Sequence, residues 1–400
     1  MCSSDLLFVA EGKGAHFTDV DGHRYLDMNI ADMSQFCGYA PDPVVRAVAE
    51  RVARGPQFLL PSEDSLWVAQ EFARRWGLPK WQFTLSASQA NVEVMRLARV
   101  ATGRQIVLMF HGRYHGHFDE NLVVEQEGRT LFEEGGPPSE ALRRVRLVPF
   151  NDPDAAREAL APRDVAVVLT EPAMTNNVGL IKPVEGFHEA LREAATETGT
   201  LLAYDETHTL FCSPGGLVRE WGLRPDMVSA GKSIAGGIPM GVYGMTDELA
   251  RTMEVGRGPT GVATGGTLFA NPVSMAAARA TLSEVLTDDA YERTAALGAR
   301  LADGLQASVD RTGLPWSVHR LYARSGLAYG PTLPRNALEA KQIEDPPFTA
   351  LWRLFLANRG VWEAIPGAGP TVAVPGQAED VDQYVSVVDE LLDEVLAPAG

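Results

Sequence analysis

The sequence predicts an α/β protein: a mostly parallel central sheet in a large domain with helices on both faces, plus a smaller α+β domain. Three observations carry this prediction. Val165 to Thr170 and Leu201 to Tyr204 are continuous apolar runs, the pattern of strands buried on both faces. Such runs alternate with amphipathic helical stretches, which is how a layered sheet with crossover helices is written in sequence. After about Leu282 the alternation stops, and one long helical stretch is followed by short strands and a final helix.

Each element has a local reason. Asp19-Val20-Asp21-Gly22-His23 reads as a hairpin turn, with Arg24 to Met28 as the returning strand. Pro43 opens a helix through about Ala53, with Val44, Ala47 and Val48 on one face. Ser62 to Trp76 is a second helix. Phe83 to Leu85 is a short strand, and Ser88 to Ala101 is helical, with Val94, Leu97, Ala98 and Ala101 at i, i+3, i+4 and i+7. Ile106 to Phe110 is a strand, Gly186 to Thr198 a helix, and Met227 to Ala230 and Val242 to Met245 further strands. The segment from Glu125 to Ser139, rich in Glu, Gly and Pro, reads as a surface loop. Asp288 to Arg311 is one long helix. Short strands are expected near Leu327 to Tyr329, Val361 to Ala364 and Val372 to Val374. The last helix carries Val381, Tyr384, Val385, Val388, Leu391, Leu392 and Val395 at a helical period. Residues 1–42 are expected to form an N-terminal hairpin segment packing with the small domain, 43–282 the large domain, and 283–400 the small one.

Bulk properties narrow the function. At 400 residues the chain is long enough for a large domain and a smaller companion. A formal net charge of −17 argues against nucleic acid or an anionic membrane as partner. Cys2, Cys37 and Cys212 are odd in number and widely spaced, which fits free thiols rather than a disulfide framework or zinc knuckle. No signal-peptide pattern and no bilayer-length apolar run is visible, so a cytoplasmic location is expected.

The chemistry begins at Lys232, in Ala230-Gly231-Lys232-Ser233-Ile234-Ala235-Gly236-Gly237-Ile238-Pro239. A lysine in a glycine-rich turn after a strand reaches the crevice at the strand C-termini, and burial or a neighbouring cation turns its amine into a nucleophile. Asp205 ends a buried strand, where a charge needs a partner, and a pyridinium proton is such a partner. Glu206, next along, points to the opposite face. Lysine plus strand-end aspartate is the pairing that holds pyridoxal 5'-phosphate. Its phosphate needs backbone N–H groups at a helix N-terminus, which Ser86-Ala87-Ser88 offers between a strand and a helix, although an ordinary serine cap has the same appearance. Its ring needs a flat partner, and Tyr114 stands in His111-Gly112-Arg113-Tyr114-His115-Gly116-His117 after a strand. His115 and His117 are two apart in this loop, with Asp119 nearby, and no third and fourth ligand follow at a recognised spacing, so no metal is expected.

Together these segments resemble a class III aminotransferase of pyridoxal-phosphate fold type I, close to the glutamate-1-semialdehyde 2,1-aminomutase subgroup. The resemblance runs over about residues 17 to 395. Ser86-Ala87-Ser88-Gln89-Ala90-Asn91 resembles the family's Ser-Gly-Thr-Glu-Ala-Asn phosphate cup. Tyr114-His115-Gly116 resembles its ring-stacking loop, and Glu171-Pro172 its Glu-Pro after a core strand. Asp205-Glu206-Thr207-His208-Thr209 resembles Asp-Glu-Val-x-Thr, and Gly231-Lys232 with Gly236 to Gly241 resembles the lysine loop. Gly266-Thr267-Leu268-Phe269-Ala270-Asn271-Pro272 resembles Gly-Thr-x-x-x-Asn-Pro. The resemblance implies that Lys232 joins the cofactor aldehyde and shuttles protons, and that Asp205 holds the ring nitrogen. It implies that Ser86, Ala87 and Ser88 bind phosphate, that Tyr114 stacks on the ring, and that His115, Glu171 and Thr207 belong to the cofactor site; His208 has no fixed family role and reads as a packed loop histidine or a further cofactor contact. It also implies a homodimer in which Thr267 reaches the neighbouring subunit's phosphate. The activity implied is amino transfer between an amino acid or amine and a keto acid or aldehyde. An aminomutase or epimerase is the alternative, and a non-catalytic binding protein of this fold a third reading.

Several positions depart from the family. Ala87 stands in place of Gly, Gln89 in place of Glu, and Thr207 in place of the Val that packs under the ring, which brings a hydroxyl there. For a substrate carboxylate, Arg320, Arg324 and Arg335 near the small-domain strands are the candidate clamps.

Overall fold

A computed structural model of the chain describes residues 7–126, 129–132, 140–175, 178–254, 262, 264–363 and 369–396. Its centre is a seven-stranded sheet. The strand order is Lys80–Thr84, Gly241–Met245, Met227–Ala230, Leu201–Asp205, Val165–Thr170, Ile106–Phe110, Val145–Val148. Gly241–Met245 runs antiparallel to both neighbours, and the other six strands run the same way. Val165–Thr170 is buried at every position, which explains its unbroken apolar sequence.

The helices beside the sheet begin and end where the residues dictate. Ala87–Thr102 starts at Ser86, whose side chain accepts from Gln89 N, and ends at Gly103 in the left-handed conformation. Its Ala90, Val94, Leu97 and Ala98 pack on Val107, Met109, Val167 and Leu169 of the sheet. On the other face, Phe187–Thr198 buries Phe187, Leu191 and Ala195 in a core shared with Phe110, Val168 and Leu202. Helices thus cover both faces.

A second, four-stranded sheet is built from both ends of the chain. Val9–Lys13, His16–Asp19 and Arg24–Asp27 form a meander, and Val361–Trp362 pairs in parallel with Arg24–Asp27. Behind it, Leu26 and Met28 share a core with Leu301 and Leu305 of the Asp288–Thr312 helix and with Tyr384 and Val388 of the Ala378–Leu396 helix.

Three expectations change. Val372 to Val374 is not a strand. Its backbone donors go to separate segments, Thr371 N to Met28 O, Val372 N to Ala323 O and Val374 N to Phe36 O, so no ladder forms. The strand expected at Leu327 to Tyr329 is Arg324–Ala328, paired antiparallel with Ser317–Leu321. Within the expected Glu125–Ser139 loop, Val123–Gln126 and Arg129–Phe132 make an antiparallel hairpin, while 127–128 and 133–139 lie outside the described residues, as does Ala364. No described helix is long and apolar enough to cross a membrane. Cys37 and Cys212 are buried free thiols, and Cys2 is outside the described residues.

Candidate active site

The C-terminal ends of the parallel strands converge on one cleft of about 280 Å³. The strand ending at Thr84 leads to Ser86, Ala87 and Ser88; that ending at Phe110 leads to Tyr114 and His115; that ending at Thr170 leads to Glu171. The strand ending at Asp205 leads to Thr207 and His208, and that ending at Ala230 to Lys232. All of these residues line the cleft, as the rule for open α/β sheets requires. The antiparallel strand begins at this same end, so Ile238, Pro239 and Met240, which precede it, form part of the wall.

Asp205 is buried, and its carboxylate is surrounded by donors. Oδ2 receives Asn91 Nδ2 at 2.7 Å and faces His115 Nδ1 at 3.0 Å, and Oδ1 receives Thr207 N at 3.0 Å. Burial alone raises the pKa of such a carboxyl. The hydrogen bonds from His115 and Thr207, with the His115 charge interaction, outweigh it, and the pKa falls below the ordinary value. Asn91 is the hub of this network. It also donates to His115 O at 2.7 Å and accepts from Ser229 Oγ at 2.5 Å, while His115 N donates to Asn121 Oδ1 at 2.9 Å. Nothing in the residue types of Asn91, Asn121 and Ser229 distinguishes them from polar fillers in a buried helix, loop and strand. The position of Asn91 at the end of the cup motif is the one clue available.

Glu171 and His208 are held neutral. Burial pushes the Glu171 carboxyl up to about 8, helped by the Asp205 charge and opposed by bonds from Thr175 and by Arg324. Burial and the charges of Lys232 and Arg324 hold His208 well below its usual value. Glu206, whose pKa burial raises to about 7, accepts from Thr209 Oγ1 and from the backbone of Leu217 and Val218 instead of lining the cleft.

Lys232 Nζ meets an acid that sequence reasoning missed. It donates to the Asp32 carboxylate at 2.5 Å and to Asp32 O at 2.7 Å. Asp32 lies in a run of four left-handed residues, Ile30 (φ 48), Ala31 (φ 47), Asp32 (φ 53) and Met33 (φ 68). Such a run costs on the order of 1–2 kcal/mol per residue and needs external support. Buried Asp27 supplies it by accepting N–H bonds from Asn29 at 2.9 Å, Ile30 at 2.7 Å and Ala31 at 3.0 Å and the Tyr39 hydroxyl at 2.6 Å. Asn29 Oδ1 then accepts Asp32 N at 2.9 Å.

The turn before the Ala87–Thr102 helix makes an anion cradle. The helix runs for 16 residues, and its start, Ser86 to Ser88, lines the cleft, where the positive end of the helix dipole favours an anion. Ser88 Oγ accepts from His117 N at 3.2 Å. A Cβ on Gly116, whose φ is +120, would sit 2.2 Å from Ser88 Oγ, so only glycine allows this approach. The Ala87 methyl, placed where the family has none, faces Gly231, where an added Cβ would meet it at 2.8 Å. The two positions accommodate each other.

The arginines lie elsewhere. Arg320 and Arg335 are exposed, and neither lines the cleft. Arg324 is buried behind the cleft wall, donating to Thr175 O at 2.7 Å and Thr371 Oγ1 at 2.9 Å, with its guanidinium 5.1 Å from the Phe211 ring centre. Thr267 is exposed and does not line its own chain's cleft.

Three buried polar atoms of cleft-lining residues have no hydrogen-bond partner among the described residues: His115 Nε2, Glu171 Oε1 and Thr207 Oγ1. Buried polar atoms are seldom left so, and a group of them in one cleft marks a ligand. A helix N-terminus for a phosphate, an ionised buried aspartate for a ring cation, a neutral carboxyl and a hydroxyl for the polar groups around the ring and a reachable amine fit pyridoxal phosphate.

The comparisons agree. Residues 3–321 match the family model described as aminotransferase class-III. A glutamate-1-semialdehyde 2,1-aminomutase of Akkermansia muciniphila is 33% identical over 96% of this chain and 91% of its own length. A structure titled as a glutamate-1-semialdehyde-aminomutase from Pseudomonas aeruginosa superposes with a TM-score of 0.93 at 41% identity, covering 98% of this chain and 88% of that one. An omega-transaminase from Sphaerobacter thermophilus superposes with a TM-score of 0.91 at 27% identity, covering 98% and 92%. The chain belongs to the class III aminotransferase family, and it is a pyridoxal-phosphate enzyme.

Proposed function

We propose that this enzyme moves an amino group between an amino acid or amine and a keto acid or aldehyde, with Lys232 as the residue that joins and releases the cofactor and Asp205 as the residue that holds its ring. The observation that carries this reading is the convergence of Lys232, ionised Asp205 and the Ser86–Ser88 helix start on one cleft. When bound, pyridoxal phosphate supplies an aldehyde for the substrate amine and a ring that draws electrons from the neighbouring carbon. The chain's residues do the rest. Ser86, Ala87 and Ser88 would hold the phosphate at the helix start, and Tyr114 would cover the ring. Asp205 would hold the ring-nitrogen proton, and His115 keeps Asp205 ionised. Glu171 and Thr207 offer hydrogen bonds from their unpartnered oxygens, and His208 closes the wall beside Lys232. Lys232 Nζ, the amine within reach of the cleft, would join the cofactor and would serve as the base that carries the proton.

The test is a half-reaction screen. Mixing the yellow holoenzyme with a panel of amino acids and amines should bleach it with some donors, and borohydride followed by peptide mass analysis should find the adduct on Lys232. A label on another lysine overturns the assignment.

A second reading, an aminomutase that moves the amino group within one molecule, is supported by the names of relatives 33% and 41% identical. Turnover without a separate acceptor decides for it. We also propose a cytoplasmic homodimer in which Thr267 serves the neighbouring subunit's phosphate. What supports the dimer is that Thr267 and Leu268 are exposed, and that Gln57 binds Thr267 O next to exposed Phe58, Leu59 and Leu60. Sedimentation giving a monomer at micromolar concentration would remove it.

A further inference from the structure

The charges in the cleft are unevenly distributed. Among the described residues that line it, the cationic side chain is Lys232, and no arginine is present. The acids are Asp32, Glu171 and Asp205. Asp205 is committed to His115, Asn91 and Thr207 N. Glu171 is held neutral by burial, as is His208, whose Nε2 lies 3.9 Å from Asp32 Oδ1. Arg324 stands behind the wall with its guanidinium bound to Thr175 O and Thr371 Oγ1.

Asp32 differs from the other two acids. Its side chain is 44% exposed, and its carboxylate bonds Lys232 Nζ. On the reading that Lys232 spends its amine on the cofactor before the substrate arrives, that bond is given up and the Asp32 carboxylate, attracted from behind the wall by the charge of buried Arg324, faces the open cleft. It does so from a rigid base, because Asp27 and Asn29 pin the left-handed run from Ile30 to Met33. A charge fixed before the ligand arrives selects ligands by sign.

We infer that Asp32 is a specificity-determining residue: its carboxylate seats a second cationic group on the amine substrate, such as the distal ammonium of a diamine or basic amino acid, and turns away a distal carboxylate. This rests on the aminotransferase reading and adds a substrate class to it.

The test uses holoenzyme, wild type and Asp32→Asn, with three donors of matched length: 1,5-diaminopentane, 1-aminopentane and 5-aminopentanoate. In wild type, kcat/KM should fall in that order, with at least ~30-fold between first and last. In Asp32→Asn the ratio should shrink to within ~3-fold, and Asp32→Glu should restore the preference for the diamine. Calorimetric titration with tetramethylammonium and with glutarate, neither of which carries a reactive amine, should show wild type favouring the cation and Asp32→Asn losing that preference. A wild type that favours 5-aminopentanoate or glutarate overturns the inference. So does an Asp32→Asn variant that loses the three donors by one common factor, which would reduce Asp32 to a partner of Lys232. Cofactor absorbance separates the two levels: if no donor bleaches wild type, the aminotransferase reading has failed, whereas bleaching with unchanged ratios in Asp32→Asn fails the Asp32 assignment alone.

Discussion

His115 Nδ1 lies 3.0 Å from Asp205 Oδ2, and both side chains are buried. The contact decides the charge of the site. Burial pushes the aspartate toward its neutral form, and the donors around it pull harder the other way. A neutral acid here could not hold a ring cation.

His115→Leu removes that donor and leaves burial with less opposition. A hydrogen bond to a charged group contributes about 1.5–3 kcal/mol, so cofactor affinity should fall roughly 10- to 100-fold. The native Asp205 pKa is depressed, so its contribution is present above the ordinary carboxyl pKa and lost as pH falls through the native one. The variant should therefore release cofactor at a higher pH than wild type during acid titration, followed by absorbance. Release at the same pH would mean that His115 does not set the charge of Asp205.

Asp205→Asn keeps the shape and removes the charge. Losing one key electrostatic partner costs on the order of 10³-fold in kcat. Single-turnover rates on reconstituted protein check this, and an activity within a few-fold of wild type would remove Asp205 from the site.

Lys232→Ala should abolish turnover while leaving the cradle and Asp205 in place. Pyridoxal phosphate should still bind without a borohydride-trappable link to the chain, and mass analysis of the reduced protein reads this out. Normal turnover in the variant would sink the assignment.

Gly116→Ala adds a methyl group 2.2 Å from Ser88 Oγ at a φ of +120. Strain and overpacking together should cost about 1–3 kcal/mol of stability. Ser88 must move, so cofactor affinity should fall in the same variant. Thermal melts and cofactor titration test both, and an unchanged affinity would place the phosphate away from Ser88.

Much of this site is legible in sequence because it is made of strand ends. An apolar run that stops at Asp205, or a strand followed by Gly231-Lys232, places its last residue at the C-terminal end of the sheet whatever the rest of the chain does. Asp32 is illegible for the opposite reason. It reaches Lys232 across 200 residues, from a left-handed run that no helical or strand period describes. Its support comes from Asp27, whose sequence neighbours read as an ordinary returning strand. The carboxylate clamp was sought at Arg320, Arg324 and Arg335 because arginine type and a location near small-domain strands were visible, while the direction of each side chain was not. Val372 to Val374 read as a strand because β-branched residues flag extended backbone, but its bonding partners are three unrelated segments.

Glu363 extends the same electrostatic logic to folding. It is buried in the core shared by Leu301, Trp352 and Tyr384, and its Oε2 accepts from Trp352 Nε1 at 2.9 Å and from the Tyr384 hydroxyl at 2.6 Å. Burial raises its pKa to about 7, against the pull of those two donors. The folded chain therefore keeps a proton that the unfolded chain releases above the ordinary carboxyl range. The stability tied to that proton is complete below the unfolded pKa and is lost as pH rises through about 7. Glu206 at about 7 and Glu171 at about 8 act with the same sign. Neutral His188 and His319, whose pKa values burial lowers to about 4 and about 3, act with the opposite sign below the ordinary histidine range, so the Glu363 share is read as the difference between wild type and variant from pH 5 to pH 8. Glu363→Gln offers both donors an amide oxygen at every pH, so its loss over that range should be smaller by on the order of a few kcal/mol. Denaturant midpoints at the two pH values measure the difference. Equal losses in wild type and variant would show that Glu363 is ionised in the folded protein throughout, with its charge stabilised by something other than Trp352 and Tyr384.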